Sequence, residues 1–423
     1  MNKSIDSVKN FPSARRNVSA MMILILWLPL SVGVMFWSSR DIAGLSIHHF
    51  LVLPILLFGM MVSLVNKSVI LLDKWLAILA CYVVTTGALT NYDEISFWMK
   101  AFAFIGVIVV SNHIALKITL RDFIRIASIT LKIMLLLSIA AAFLSPSIAF
   151  TDWEGNRVFR GIFVDKNTMG RLCYFVSFLI FSNSAVSGRK LSLIDITCLI
   201  LSIPAVFFTH SRTSQLVLVI MFLVFFASGS KKLNRYSNIF AAFLLVALCL
   251  MIFTGLISIL DTGSNNDYLS VFGHEFRLSG RSTIWMGLID ALNNEHKWLF
   301  GFGLGGFYGT ANQIYITGIG LGDFIPDDGH NGYLDAIVNI GILGLLIYCI
   351  ILAKFFGNIR KTRDPGKRSF YYSILVLFIF SNFSESFFVK TSNISVFFLL
   401  LSFVYSGNYI RENSRLKSKT HSL

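Results

Sequence analysis

Twelve apolar runs, each roughly 17 to 25 residues long, constrain this chain more than any other feature, because that is the length a helix needs to cross the hydrocarbon core of a bilayer. They lie at about 21–38, 47–65, 75–91, 97–116, 126–149, 171–187, 191–209, 214–229, 238–260, 333–353, 370–388 and 393–408. No water reaches the middle of a bilayer, so backbone N–H and C=O groups there must be bonded within their own segments. The expected fold is therefore an all-α polytopic membrane protein with about 12 transmembrane helices. Composition agrees: 55% of residues are hydrophobic, 40 are Phe and only 14% are charged, more apolar than water-soluble domains usually are.

A net charge of +14 would suggest nucleic acid if the charges were scattered. They are not. With the N-terminus inside and the spans alternating, 24 of the 36 basic residues but only six of the 22 acidic ones fall in inner segments, a balance of +18 inside against −4 elsewhere. That is the positive-inside pattern, so the basicity reports orientation, with both termini inside and no nucleic acid among the expected partners. The organisation reads as an inner tail at 1–20, nine spans over 21–260, a large outer loop at 261–332, three spans over 333–408 and an inner tail at 409–423. Within the large loop Ile284, Trp285, Leu288, Ile289 and Leu292 recur at helical spacing while Asp290, Asn293 and Asn294 fall off that face. This predicts an amphipathic helix lying on the outer interface.

The first apolar run ends in Trp37-Ser38-Ser39-Arg40 without a small-x-small cleavage site, and reads as an anchor that stays in place. Cys81, Cys173, Cys198, Cys249 and Cys349 all fall inside spans and show no C-x-x-C spacing, so they are expected to pack and not to pair. Gly301, Gly303 and Gly306 satisfy G-x-G-x-x-G, yet no strand precedes them and no βαβ unit surrounds them; a flexible loop turn is the better reading than a dinucleotide site. His48 and His49 lack the thiols or carboxylates that would complete a metal site. Neither a metal nor a cofactor is expected.

The remaining polar residues map to the outer face. Arg212, in His210-Ser211-Arg212-Thr213, sits at a turn between two spans, where an arginine is costly without a partner or a water-filled cavity; snorkelling to headgroups is the plain alternative. Arg277 and Arg281 open the amphipathic segment, either as a solvated helix end or as phosphate ligands. Arg157, Arg160, Lys166 and Asn167 form a second group, with headgroup anchoring as the alternative. Several arginines on an otherwise acidic side point to a pocket for a strongly anionic group such as pyrophosphate, since guanidinium offers planar, bidentate donors and never loses its charge. Such contacts would stabilise a diphosphate leaving group without any metal. His330, beside Asn331 where the large loop meets the tenth span, has an ordinary pKa near 6.5 and suits removal of a proton from a sugar hydroxyl. A helix-starting polar residue bonded to its own loop is the alternative.

The string Asp328-Gly329-His330-Asn331-Gly332-Tyr333-Leu334-Asp335, with Gly341 and Gly344, resembles the H-[NSQ]-x9-G-x-x-[GTY] signature of the O-antigen ligase and Wzy polymerase superfamily of bacterial envelope enzymes. Other elements agree in order: Gly161, Phe163, Lys166, Asn167 and Gly170; Ser211 to Thr213; Gly280, Arg281 and Trp285 leading to the glycine-rich turn at Gly301 to Phe307; and Glu385-Ser386. The resemblance covers about 155–390. It implies a polytopic helical glycosyltransferase of the bacterial inner membrane, with its active site and large loop periplasmic. Such an enzyme moves a glycan from an undecaprenyl-pyrophosphate-linked donor, with inversion, onto a sugar hydroxyl.

By the same resemblance His330 activates the acceptor and Arg212 and Arg281 engage pyrophosphate. Lys166 and Asn167 are carried over as supporting residues, Asn331 and Glu385 belong to the matching elements, and Arg160 and Arg277 are supporting candidates from their place among the outer arginines. The acceptor is lipid A-core in ligases and another lipid-linked chain in polymerases; membrane lipids, a flippase and a chain-length regulator are the further partners implied. The Lys-Asn element and the Gly-His-Asn-Gly-Tyr form look more like the exopolysaccharide-type polymerases, with the ligase as the alternative. A secondary transporter also fits twelve spans, but such proteins place ionisable groups near the midplane, and here Lys132 and Glu385 come nearest, both close to span ends.

Overall fold

The structure, a computed structural model, describes residues 18–32, 41–42, 45–91, 95–153, 155–229, 268–271, 274–277, 281–317, 326–390 and 393–421. Among them are thirteen α-helices: α1 (Val18–Val32), α2 (Ile47–Val65), α3 (Lys74–Asn91), α4 (Ile95–Lys117), α5 (Leu120–Leu144), α6 (Pro146–Ala149), α7 (Lys166–Ser187), α8 (Leu193–Phe208), α9 (Arg212–Gly229), α10 (Arg281–Asn294), α11 (Gly332–Lys361), α12 (Pro365–Ser381) and α13 (Ile394–His421). Three antiparallel hairpins accompany them: β1 (Asp41–Ile42) with β2 (Leu45–Ser46), β3 (Phe150–Trp153) with β4 (Asn156–Phe159), and β5 (Tyr268–Val271) with β6 (His274–Arg277). Strands of four residues or fewer are too short to write an alternating pattern, so the purely helical expectation misses them.

Five described helices are long and apolar enough to cross a membrane: Phe97–Lys117, Leu120–Leu144, Lys166–Ser187, Gly332–Lys361 and Ile394–Glu412. Five shorter apolar helices, at Val18–Ser31, Val52–Val65, Lys74–Thr90, Leu193–Phe208 and Arg212–Ser228, match other expected runs. The run expected at 238–260, with Cys249, lies outside the described residues. Three boundaries move, each for a local reason. The run at 126–149 becomes α5, which begins at the Thr119 cap and stops at Leu144, because Ser145 precedes Pro146 and the residue before a proline is pushed out of helical geometry. The run at 370–388 becomes α12, which starts at Pro365 and ends at Ser381. Phe387 and Phe388 are buried in the turn that follows, so they prolong the apolar pattern without prolonging the helix. Finally, α13 continues through the stretch expected as a tail to His421.

The chain forms two compact units, one of residues 1–72, 106–215 and 400–408, the other of 73–105, 216–399 and 409–423. In the first, Lys132 of α5 meets Asp195 at 2.6 Å, and Asp195 also closes a capping box with Ser192 at the start of α8. One of the two ionisable residues nearest to a transport site is thus engaged in an ion pair at a helix cap. In the second unit, α10 lays Ile284, Trp285, Leu288 and Leu292 against Phe302, Phe307, Leu334 and Val338, while Asp290, Asn293 and Asn294 stay exposed. The amphipathic pattern is borne out, but its apolar face covers the glycine-rich loop and the start of α11. Burying each such large side chain contributes about 1.5–3 kcal/mol relative to exposure to water.

Candidate functional site

The segment after His330 is a broken helix. Asn331 caps α11, its Oδ1 accepting from the N–H groups of Tyr333 at 3.1 Å and Leu334 at 3.2 Å. At Gly341 the backbone leaves the helix with φ 68 and ψ 176, a region essentially reserved for glycine. A Cβ there would stand 2.1 Å from the Leu299 carbonyl oxygen. The break strips helical partners from neighbouring backbone groups, and the chain at 298–302 with α3 replaces them. Phe302 N–H donates to Val338 O at 2.7 Å, Ile342 N–H to Trp298 O at 2.9 Å and Leu343 N–H to Leu299 O at 3.3 Å. The Tyr82 hydroxyl donates to Ile340 O at 2.8 Å. Irregular backbone at such a position is tolerated because protein surrounds it. Gly301, at φ 70, completes the fit: a Cβ on it would lie 2.7 Å from Gly341 N and Val338 O.

His330 itself stands in the left-handed region, φ 49, at a cost of about 1–2 kcal/mol. Its backbone N–H donates to Asp328 Oδ1 at 2.8 Å, and its ring Nδ1 lies 3.3 Å from the same oxygen. Lys390 donates to Asp328 Oδ2. Burial pushes the Asp328 carboxyl up, but the Lys390 ammonium and then His330 pull it further down, to about 2. Beneath it, the Asp335 carboxylate accepts from Gly329 N–H at 2.9 Å and from the hydroxyls of Tyr308 and Ser386. Burial and then the Asp335 charge hold the Tyr308 hydroxyl protonated well above its ordinary range. The Trp285 indole donates to Gly329 O at 2.7 Å, and Gly332 N–H to Asn382 O at 2.7 Å. Three elements, α10, α11 and the 382–390 turn, thereby fix the histidine. The Asp328 carboxylate stands beside the ring as a charge without a hydrogen bond to Nδ1, and the His330 side chain is 28% exposed where that of Asp328 is 7%.

Of the residues singled out in the sequence, Arg281 is the half-buried first residue of α10, one turn before Trp285, whose indole reaches the His330 loop. Arg277 does not open that helix; it ends β6, opposite Tyr268. Asn331 is a cap. Glu385 donates its N–H to Ser381 O at 2.9 Å; burial alone would lower Lys390, and Asp328, Asp327 and Glu385 together raise it. Asp328, Asp335, Ser386, Lys390 and Tyr308 were not picked out as site residues. A carboxylate two positions from a candidate base is a usable signal for Asp328. Nothing in the sequence links Lys390 to a residue 62 positions away.

A second group assembles in the first unit. Lys166 and Asn167 begin α7 behind the Asp165 cap, and a Cβ on Gly170 would lie 2.4 Å from Ser214 Oγ. This close approach sets the α7 start beside the Ser211-Arg212 turn. Arg212 is exposed and starts α9, after His210 at φ 51. Arg160 is engaged with its own loop, donating to Ile148 O at 3.0 Å and Val164 O at 3.5 Å.

Residues 197–349 match the O-antigen ligase family. The superfamily resemblance is borne out. The matched segment holds Arg212, Arg281, His330, Gly341 and Gly344, and leaves Lys166, Asn167 and Glu385 outside it. No curated protein matches the chain. That segment is similar to O-antigen ligases, and the chain around it carries five described helices long and apolar enough to cross a membrane.

Proposed function

We propose that the protein is an inverting glycosyltransferase of the bacterial inner membrane that polymerises O-antigen or exopolysaccharide repeat units from an undecaprenyl-pyrophosphate-linked donor at the periplasmic face. The observation that carries this reading is the Asp328–His330 pair: a partly exposed imidazole with an ionised carboxylate 3.3 Å from Nδ1. His330 Nε2 takes the proton of an acceptor sugar hydroxyl. The hydroxyl oxygen then attacks the anomeric carbon from the face opposite the leaving group, and the bond to the diphosphate oxygen breaks with its electron pair. Arg281, in the same unit as His330, binds the diphosphate as its charge develops; Arg212, with Lys166 and Asn167 beside it, is a further anion-binding group by resemblance. The test is deletion in the host, with lipopolysaccharide and surface polysaccharide run on a gel. Core capped with a single repeat, or loss of exopolysaccharide, supports polymerisation. Bare core, with polymer retained on the lipid carrier, would assign ligation instead.

Two further expectations follow from the geometry. Arg281→Lys should lose most transfer activity, about tenfold or more, because a point charge does not reproduce a bidentate fork; full activity would reduce the role to charge attraction. The Asp328 carboxyl lies below its unfolded value of about 3.9, so its ion pair stabilises the fold above about pH 4 and that stability is lost as pH falls toward 2. Thermal unfolding in detergent across this range should fall for wild type and flatten for Asp328→Asn, and equal slopes would remove the ion pair from the account.

A further inference from the structure

The glycine-rich turn does more than fit against Gly341. Gly301, Gly303, Gly305 and Gly309 all adopt left-handed backbone, with φ of 70, 83, 78 and 78, and 301–307 is buried throughout. Turns that alternate in this way present successive N–H groups as an anion-binding nest. Gly301, Phe302 and Gly306 donate to backbone carbonyls, and Gly305 N–H reaches Asn339 Oδ1 at 3.4 Å. The N–H groups of Gly303 and Leu304 have no acceptor among the described residues. A buried donor without an acceptor costs about 1–3 kcal/mol.

Over this turn lies Lys100. Its Nζ is 2.9 Å, and its Cδ 2.8 Å, from the place a Cβ on Gly305 would take. The side chain is half-buried and has no carboxylate partner among the described residues. It stands in the first turns of α4, within the stretch Phe97–Lys117 that has the length and apolarity of a membrane span. A cation within such an apolar stretch calls for an anionic partner. We propose that Lys100 and the Gly303–Gly305 turn bind a lipid-borne phosphate group. The ammonium supplies the charge and the backbone N–H groups supply direction, while the place of Lys100 at the start of a membrane helix favours a phosphate carried on a lipid over one free in water. The glycines that fail as a dinucleotide fingerprint thus serve the same chemical group in another setting. The proposal needs no role for His330.

The test is titration of the full-length protein, in phosphatidylcholine nanodiscs, with radiolabelled farnesyl diphosphate. Lys100→Met keeps the aliphatic stem and should weaken binding about tenfold, the loss of one charge-assisted contact, while Lys100→Arg keeps most of it. Gly305→Ala leaves the charge but displaces the lysine tail, and should weaken binding severalfold; it decides the matter if Lys100→Met does not insert. Competition that succeeds with phosphatidylglycerol assigns the phosphate to a phospholipid headgroup, and competition that fails with it assigns an isoprenoid diphosphate. Unchanged affinity in both Lys100→Met and Gly305→Ala, with unchanged thermal unfolding, overturns the site. Displacement by inorganic pyrophosphate as effectively as by the prenyl ester overturns its lipid-borne character. A failed His330 reading would show instead in glycan transfer with prenyl diphosphate binding intact.

Discussion

His330→Ala is expected to abolish glycan transfer, by about 10²- to 10⁴-fold, while the protein still inserts and still binds its lipid-linked donor. The imidazole belongs to a network already satisfied without it: Asp328 keeps Lys390 and the backbone N–H of position 330, and Asp335 keeps Gly329, Tyr308 and Ser386. Removing the ring therefore takes away the base and leaves its scaffold. His330→Gly sharpens the point, since glycine accepts φ 49 without the left-handed penalty of about 1–2 kcal/mol. Stability at or above wild type with transfer gone would separate chemistry from folding. Transfer at wild-type rate in either variant would sink the base assignment.

Gly341→Ala should have the larger effect on the fold. Alanine at φ 68, ψ 176 is strained by about 1–3 kcal/mol, and its Cβ would stand 2.1 Å from Leu299 O and 2.5 Å from Phe300 N. Overpacking adds about 1–3 kcal/mol more, and backbone atoms cannot swing aside as a side-chain tip does. Destabilisation of about 3 kcal/mol or more is expected, seen as loss of inserted protein and a large drop in unfolding temperature. Gly309→Ala is the control: φ is 78 there, but nothing lies within 4 Å, so only the left-handed penalty applies. Equal unfolding temperatures for the two variants would mean that the broken helix does not depend on the close approach at Gly341.

The two halves of the signature do different physical work. The histidine is the proposed base, Asn331 caps the helix that follows, and Gly341 breaks that helix so the 298–302 segment can dock. The sequence made the spacing visible without saying which residues were chemical and which were structural, because a glycine needed for backbone fit and one needed for a ligand leave the same letter. Arg160 is the converse case. The sequence leaves it between an anion ligand and a headgroup anchor; in the structure its Nε and one terminal nitrogen donate to the carbonyls of Ile148 and Val164, an arrangement that depends on how the β3–β4 hairpin and the α7 loop close.

What the sequence by itself determined was the membrane class, most of the helices, the amphipathic face of α10 and the family to which 197–349 is similar, because each rests on local periodicity or on fixed spacing along the chain. Tertiary structure alone decided that Asp328 faces His330 and is neutralised by Lys390, that Asp335 anchors the loop from below, and that Lys100 lies over Gly305. Apart from Asp328 and His330, two positions apart, the partners lie tens to hundreds of positions apart along the chain, and no local pattern encodes these pairings. They exist because a broken helix, a glycine turn and two loops are packed closely enough that a buried carboxylate must find its partners within reach.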